Sequence, residues 1–283
     1  MKEKALKKLV EWIKPQTIPA GQYKGRAYEY ILPLEPYGKG KRRNAIAESL
    51  NKYYVLTDGV RYFPKVLPVS ELHIYANHLN SSQILCYNFF GKLLAINEYS
   101  ERILRISPEL KKWLEIYLPT VPGLSDDAQC EFEAVINLKE GTSFDFIAYD
   151  NNTEIRFEIK FTEDGFGKVK KNSESRSGSS HLQKYKEIYK PRFDKSIVIR
   201  NPDSEDDFFR NYQLFRNAIV GNRLGVDREI YNVFIYPGWN TKCVKEFENF
   251  KKNFVVDTSR VLSLEWAKIV PNEMAGLLEK YYL

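Results

Sequence analysis

The chain has 283 residues, 43% of them hydrophobic and 14% aromatic, which supports a substantial core and excludes a disordered polypeptide. Its 43 Lys and Arg against 37 Asp and Glu give a formal charge of +6, a modest balance that does not by itself name a polyanionic partner. No apolar run approaches the roughly 20 residues of a bilayer span, and the 3 Cys and 3 His lie too far apart for a disulfide framework or a zinc pattern.

Residues 1–14 read as a charged amphipathic helix ended by Pro15. Glu3 and Glu11 and the lack of an apolar centre argue against a signal peptide, so a cytoplasmic protein without membrane partners is expected. Residues 16–70 are rich in Tyr, Pro and Gly, with strand-like runs such as Tyr53-Tyr54-Val55-Leu56. Asn80-Ser81-Ser82 caps a helix through Gln83 to Phe90, and another helix is predicted over about 100–117, ending before Pro119. Ser125-Asp126-Asp127 predicts a helix over about 127–138 with an apolar stripe of Ala128, Phe132, Val135 and Ile136. Beyond a hairpin at 143–160 come a polar loop at 171–180 and a helix at 181–189. Buried strands are predicted at 196–200 and 231–236, separated by a helix at 205–221, with two final helices interrupted at Pro271. This order gives an α/β domain with a mixed sheet flanked by helices over 76–283, preceded by an α+β extension or subdomain at 1–75.

The hairpin carries the chemistry. Apolar alternation puts Phe144, Phe146 and Ala148 on one side of its first strand, and Ile155, Phe157, Ile159 and Phe161 on one side of its second. A turn at Asn151-Asn152 sets Asp150 against Thr153, hence Asp145 against Glu158 and Ser143 against Lys160. Directly opposed Cβ atoms lie about 4.5–5.5 Å apart, so two such carboxylates repel unless a cation joins them. A hard divalent ion, Mg²⁺ with Mn²⁺ as substitute, suits carboxylate oxygens, acidifies a bound water and neutralises a scissile phosphate. Lys160, on the face of Glu158, suits a group that orients the water or stabilises the transition state. Two basic clusters, Lys39, Lys41, Arg42 and Arg43, and Lys168, Lys170, Lys171 and Arg176, read singly as solvated surface. Beside an acidic metal site they suit a phosphodiester substrate.

Asp145…Glu158-x-Lys160 resembles the signature of the PD-(D/E)XK nuclease superfamily, whose fold is restriction-endonuclease-like. The run Phe132-Glu133-Ala134…Gly141-Thr142-Ser143-Phe144-Asp145…Phe157-Glu158-Ile159-Lys160-Phe161-Thr162-Glu163…Phe166-Gly167 is similar to a bacterial branch of it. Ser81-Ser82-Gln83…Asn88-Phe89-Phe90 and Tyr212-Gln213-Leu214-Phe215-Arg216-Asn217 look like further parts of that pattern. The resemblance covers roughly 70–240, with Phe144 at the position of the signature's proline. It implies metal ligands at Asp145 and Glu158, a catalytic Lys160 and a supporting helix acid at Glu133. Helical periodicity leaves Glu131 and Glu133 open, each about 100° from Phe132; the resemblance favours Glu133. Glu163, Gln213, Arg216, Asn217 and Lys168 are expected to bind substrate or brace the metal ligands. Gln183 and Tyr185 are weaker candidates of that kind, and Gln83 and Asn88 read as caps or packing polar groups. The function expected is a metal-dependent nuclease acting on DNA, with RNA not excluded and a homodimer compatible with cutting two strands. The alternative is a non-catalytic nucleic-acid-binding or assembly protein on the same fold.

Overall fold

An amphipathic helix, α1 (Lys2–Ile13), buries Ala5, Leu9 and Ile13 and leaves its lysines exposed. The structure is a computed structural model describing residues 1–53, 61–137, 142–174, 178–220 and 227–276. A ribbon of β1 (Gly21–Tyr23) and β2 (Arg26–Tyr28) turns through Lys24 and Gly25, both at positive φ. Next comes α2 (Arg42–Tyr53), unforeseen in the sequence: Arg42 and Arg43 open it, and Tyr53 closes it. Residues 54–56 of the predicted strand-like run lie outside the described residues.

The cap at Ser81 starts α3 (Ser82–Leu93), its hydroxyl accepting the Ile84 N–H. Nearly every side chain of α3 is buried, which makes it the central helix of one face. The helix predicted at 100–117 is shorter. A strand β3 (Leu104–Arg105) comes first, and α4 (Pro108–Tyr117) begins where Ser107 Oγ accepts the Leu110 N–H and Pro108 occupies the first turn.

The helix expected over 127–138 is instead strand β4 (Gln129–Asn137). Its apolar residues fall at every second position, Cys130, Phe132, Ala134 and Ile136 being inside, while Gln129 and Val135 are exposed. Ala128, Phe132 and Ile136 also fit a helical stripe, and that coincidence misled the reading. The hairpin follows as β5 (Thr142–Tyr149) and β6 (Thr153–Ile159).

The segment after the hairpin is helical from α5 (His181–Lys184) through a wide π turn (Tyr185–Tyr189) to α6 (Lys190–Phe193). The strand predicted at 196–200 reduces to one bridge, Ile199 with Val255; Ile197 is 70% exposed, so no sheet covers it. The helix predicted at 205–221 is broken at Asn211 into α7 (Glu205–Arg210) and α8 (Tyr212–Ile219). Then come β7 (Glu229–Tyr236), α9 (Thr241–Phe254), β8 (Val261–Glu265) and α10 (Trp266–Ile269). β8 was missed because Glu265 passes directly into Trp266 with no turn residue between strand and helix.

The strands form one sheet in chain order, β3-β4-β5-β6-β7-β8. From β3 to β6 neighbours are antiparallel, with α4 in the connection from β3 to β4 and a tight turn between β5 and β6; β6, β7 and β8 are parallel, joined by the helical crossovers α5–α8 and α9. The result is the mixed, helix-flanked α/β sheet expected from the sequence. On one face Phe157, Ile159, Val233 and Ile235 share a hydrophobic cluster with α3, α4 and α10. Leu9 and Ile46, from the first 75 residues, join the same cluster. On the other face Phe234 and Tyr236 pack with Tyr189, Phe208, Phe215 and Phe247. Phe90 stacks on Phe146 at 4.0 Å and meets Phe157 at 4.9 Å, fixing α3 over the middle of the hairpin.

One local irregularity shapes everything that follows. Pairing between β4 and β5 steps from Phe132↔Phe146 to Ala134↔Phe144, passing over Glu133 and Asp145, and Glu133 has φ of 47°. A non-glycine residue in that left-handed region is uncommon and costs conformational energy. The facing alternation slips here: Phe132 and Phe146 belong to the α3 side, whereas Ala134, Ile136 and Phe144 cluster with Ile147, Tyr149 and Val220. Phe144 therefore does not share a face with Phe146 and Ala148, as strict alternation required.

Candidate active site

The hairpin register agrees with the count from the turn. Tyr149↔Glu154, Ala148↔Ile155, Ile147↔Arg156 and Phe146↔Phe157 pair, and the Asp150 N–H donates to the Thr153 carbonyl at 3.0 Å. Pairing stops one step before Asp145 and Glu158. There the strands part, and one Asp145 carboxylate oxygen accepts the Ile159 N–H at 2.6 Å in place of a ladder bond. Asp145 thus sits where its strand is unpaired on both sides, with its carboxylate fixed by backbone.

β6 sends Glu158 to the face of α8. The Asn217 amide donates to Glu158 Oε2 at 2.7 Å, while Lys160 Nζ, at 2.8 Å, and the Gln213 amide both reach Oε1. Gln213 is itself clamped, accepting the Gly167 N–H at 2.9 Å. Glu133 sends its carboxylate to α3, where Gln83 Nε2 donates to it at 2.7 Å; Ser143 Oγ lies 3.3 Å from its second oxygen. The left-handed backbone explains the divergence of the two candidate acids. Glu131 is buried under the Tyr149 hydroxyl at 2.8 Å and does not line the cleft, whereas Glu133 does. The acid comes from a strand, not from the expected helix.

Glu133, Asp145, Glu158 and Lys160 line the floor of a cleft of about 1050 Å³. Burial, reinforced by the charges of Glu158 and Glu133, holds the Asp145 carboxyl well above its usual range despite Lys160 and the Ile159 N–H. Burial also raises Glu133 to about 7, with the Gln83 bond opposing and the Glu158 charge adding to it. For Lys160, burial disfavours the ammonium, but the charges of Glu158, Glu163 and Asp145 outweigh it, and its pKa is raised. Burial pushes up the Cys86 thiol on α3, and all three carboxylates push it further. These groups share one negative field.

The remaining predicted residues divide. Gln213, Arg216 and Glu163 line the cleft; Asn217 lies fully buried behind Glu158. Glu163 turns back on its own strand, accepting the Phe161 N–H at 2.6 Å. Arg216 donates to Asn217 at 3.0 Å. Lys168 is not brought to the floor: it pairs with Glu246 at 3.3 Å and is half exposed. Lys171 pairs with Glu205, and Arg176 lies outside the described residues. Arg43 lines the cleft, its Nε donating to the Leu72 carbonyl at 2.7 Å. Gln183 bonds Glu187 on the surface and Tyr185 packs against Phe208 and Phe209, so neither joins the site. Asn88 is buried within α3.

Sequence reasoning undervalued Gln83, which ties Glu133 to the Glu71 carbonyl and the His73 N–H. Its signal was its place one residue inside a capped helix. Arg102 was missed outright. It pairs with Glu71 at 2.9 Å and donates to the Glu133 carbonyl at 3.2 Å, which supports the left-handed turn. Nothing in local sequence marks a contact across 31 residues.

Hard oxygen donors in excess of positive charge fit a hard cation. Asp145 and Glu158 match the one or two carboxylates, completed by water and substrate, with which Mg²⁺ is usually held. Among the described residues no group of three or more His, Cys, Asp or Glu is arranged to hold a metal ion, so Glu133 does not complete a three-residue ligand set. No described helix is long and apolar enough to cross a membrane.

A family model described as restriction endonuclease associating with ARP matches residues 16–282. It takes in most of the N-terminal region that the superfamily resemblance left out. No curated protein and no solved structure matches the chain.

Proposed function

The chain belongs to the family of restriction endonucleases associating with ARP, and from that premise we propose that it is a metal-dependent nuclease of the PD-(D/E)XK kind, hydrolysing phosphodiester bonds of DNA. One observation carries the reading: Asp145, Glu158 and Glu133 line one cleft together with Lys160, which pairs with Glu158. Asp145 and Glu158 would hold Mg²⁺, or Mn²⁺ in its place. When bound, the ion supplies a Lewis acid for the phosphate and acidifies a water.

The chain's own residues do the rest. The Ile159 N–H fixes the Asp145 carboxylate, and Gln213, Asn217 and Lys160 between them hold both Glu158 oxygens. Fixing ligands through such neighbours sets their orientation before substrate arrives. Lys160 is held as an ammonium by the surrounding carboxylates. It therefore acts as a positive charge beside the attacked phosphorus, orienting the nucleophile and stabilising charge that develops on the phosphoryl oxygens. Glu133, whose carboxyl titrates near 7, is placed to exchange a proton with water in the cleft. Arg216 and Arg43 line the walls and suit the flanking phosphates.

The test is incubation with plasmid, linear and single-stranded DNA and with RNA, in Mg²⁺ or Mn²⁺, alongside Asp145→Ala and Lys160→Ala. The expected result is cleavage by the wild type that needs the divalent ion and is lost in both variants. Cleavage surviving in both would sink the site assignment. Binding without cleavage by the wild type would put the non-catalytic nucleic-acid-binding reading ahead.

A further inference from the structure

Apart from Arg43, the wall of the cleft built by the N-terminal region takes no part in the chemistry above, yet it is aromatic. Tyr23, Tyr30, His73, Tyr75 and His78 line it. Tyr23 meets Tyr75 edge-on at 5.5 Å and His78 at 5.6 Å, and Tyr75 lies 5.2 Å from both His73 and His78. The two tyrosine hydroxyls are 3.5 Å apart. His78 Nε2 is buried without a hydrogen-bond partner. Burial, with Arg42 and His73 adding to it, lowers His78 to about 4, which favours an uncharged ring at neutral pH. Positive charge lies beside the rings: Lys24 sits over Tyr23 at 5.3 Å, and Arg43 and Lys2 line the same cleft.

Aromatic rings lining a cleft offer apolar, flat surface to a flat ligand. Proteins that hold unpaired nucleic acid combine such stacking rings with a basic groove. Scale points the same way. The cleft, at about 1050 Å³, is close to the roughly 300–1,000 Å³ of a small-ligand pocket. Glu158 and Lys160, only 5% and 8% exposed, lie at its floor.

We propose that Tyr23, Tyr75 and His78 form a stacking subsite for an unpaired nucleobase, so that the site takes a single-stranded segment or an unpaired or extruded nucleotide of a duplex. This rests on the nuclease reading for the identity of the ligand, and its test is kept apart from cleavage. Binding is measured without divalent metal, by fluorescence anisotropy, to one oligonucleotide as a single strand, as a perfect duplex and as a duplex with a three-nucleotide bulge, with 2-aminopurine at one position. An RNA copy of the strand separates recognition of the base from recognition of the sugar.

The expected result is at least tenfold tighter binding to the single strand and the bulge than to the perfect duplex. The 2-aminopurine should be quenched on binding. Tyr23→Ala and Tyr75→Ala should each weaken single-strand binding about 5- to 100-fold, the range of one lost stack, and reduce quenching. Tyr75→Phe, which keeps the ring, should lose less than Tyr75→Ala and serves if the alanine variant melts early. Tyr99→Ala, 82% exposed and outside the cleft lining, is the control expected to change nothing. Equal affinity for duplex and single strand, or indifference to both alanine changes in folded protein, overturns the proposal. Tyrosine-dependent binding with no cleavage in Mg²⁺ overturns the nuclease reading and leaves this one standing; binding to no nucleic acid overturns both.

Discussion

Strand β6 carries the same pattern twice. Glu154-Ile155-Arg156 and Glu158-Ile159-Lys160 each place an acid and a base two residues apart on one face, paired at 2.7 and 2.8 Å. Their surroundings differ. Glu154 meets two guanidiniums, Arg156 and, at 3.4 Å, Arg228. Arg156 also donates to the Val220 carbonyl at 2.7 Å and lies over the Phe144 ring. Both members of that pair are fully buried and line no part of the cleft. Glu158 meets one ammonium, whose charge also acts on Asp145, and its other partners, Gln213 and Asn217, are neutral. One acid is over-neutralised in a closed core, the other under-neutralised at an opening. The spacing of acid and base does not make a site; the charge left over does.

The sharpest way to break this comparison is to cut each pair. Arg156→Ala leaves Glu154 buried with only the longer contact to Arg228, and removing one partner of a buried pair typically costs about 3–5 kcal/mol. The loss should appear in denaturant unfolding. Lys160→Ala, at the wetter pair, should instead cost activity: about 10²–10³-fold in cleavage rate, the scale of a deleted electrostatic stabiliser, with a smaller change in stability. If Arg156→Ala cost activity at full stability, or Lys160→Ala unfolded the protein, the division between structural and reactive pair would be wrong.

The same contrast shows what could be read from the residues alone. The register of the hairpin follows from a two-residue turn and strict alternation, both local rules, and the fold keeps it as far as Phe146↔Phe157, one step short of Asp145 and Glu158. The neighbours that distinguish Glu158 from Glu154 come from far along the chain: Gln213 and Asn217 from α8, and Arg228 from the start of β7. Periodicity carries no information about them. β4 failed for a different reason. Its apolar residues satisfy both a helical and a strand pattern, and the left-handed turn at Glu133 that aims the third carboxylate depends on Arg102 and Gln83. A local rule cannot see a conformation imposed by tertiary contacts.

The unbalanced charge should be visible in stability against pH. Burial and neighbouring carboxylates raise Glu133 to about 7 in the folded state, against an ordinary value near 4.3 in the unfolded chain. A raised carboxyl stabilises the fold fully below its unfolded value, and that contribution is lost as pH rises through the folded one. The metal-free protein should therefore lose stability between about pH 4 and pH 7, by up to about 4 kcal/mol. Glu133→Gln should flatten the decline, and Mg²⁺ should stabilise the wild type more at pH 8 than at pH 5. At the Glu154 pair, where cations outnumber the acid, substitution should leave this pH profile in place. A wild-type curve that is flat or rises across the window would contradict the account of a Glu133 carboxyl raised by burial and by its neighbouring carboxylates.

The smallest expected effect tests whether neutral donors matter at all. Gln213 bridges the Gly167 N–H to Glu158, so it sets the position of a carboxylate that Lys160 alone would hold by one oxygen. Removing such a partner from a proposed metal ligand usually costs 10–100-fold in metal affinity or activity. Asn217 still holds the second oxygen, so Gln213→Ala should lie at the low end, about tenfold, and appear as a higher Mg²⁺ requirement rather than a lower rate at saturating metal. A loss that saturating Mg²⁺ or Mn²⁺ fails to recover would mean that Gln213 acts on the substrate and not through Glu158. The excess charge at this pair would then be positioned by Asn217 and the backbone of β6, and Gln213 would belong to the cleft wall with Arg216.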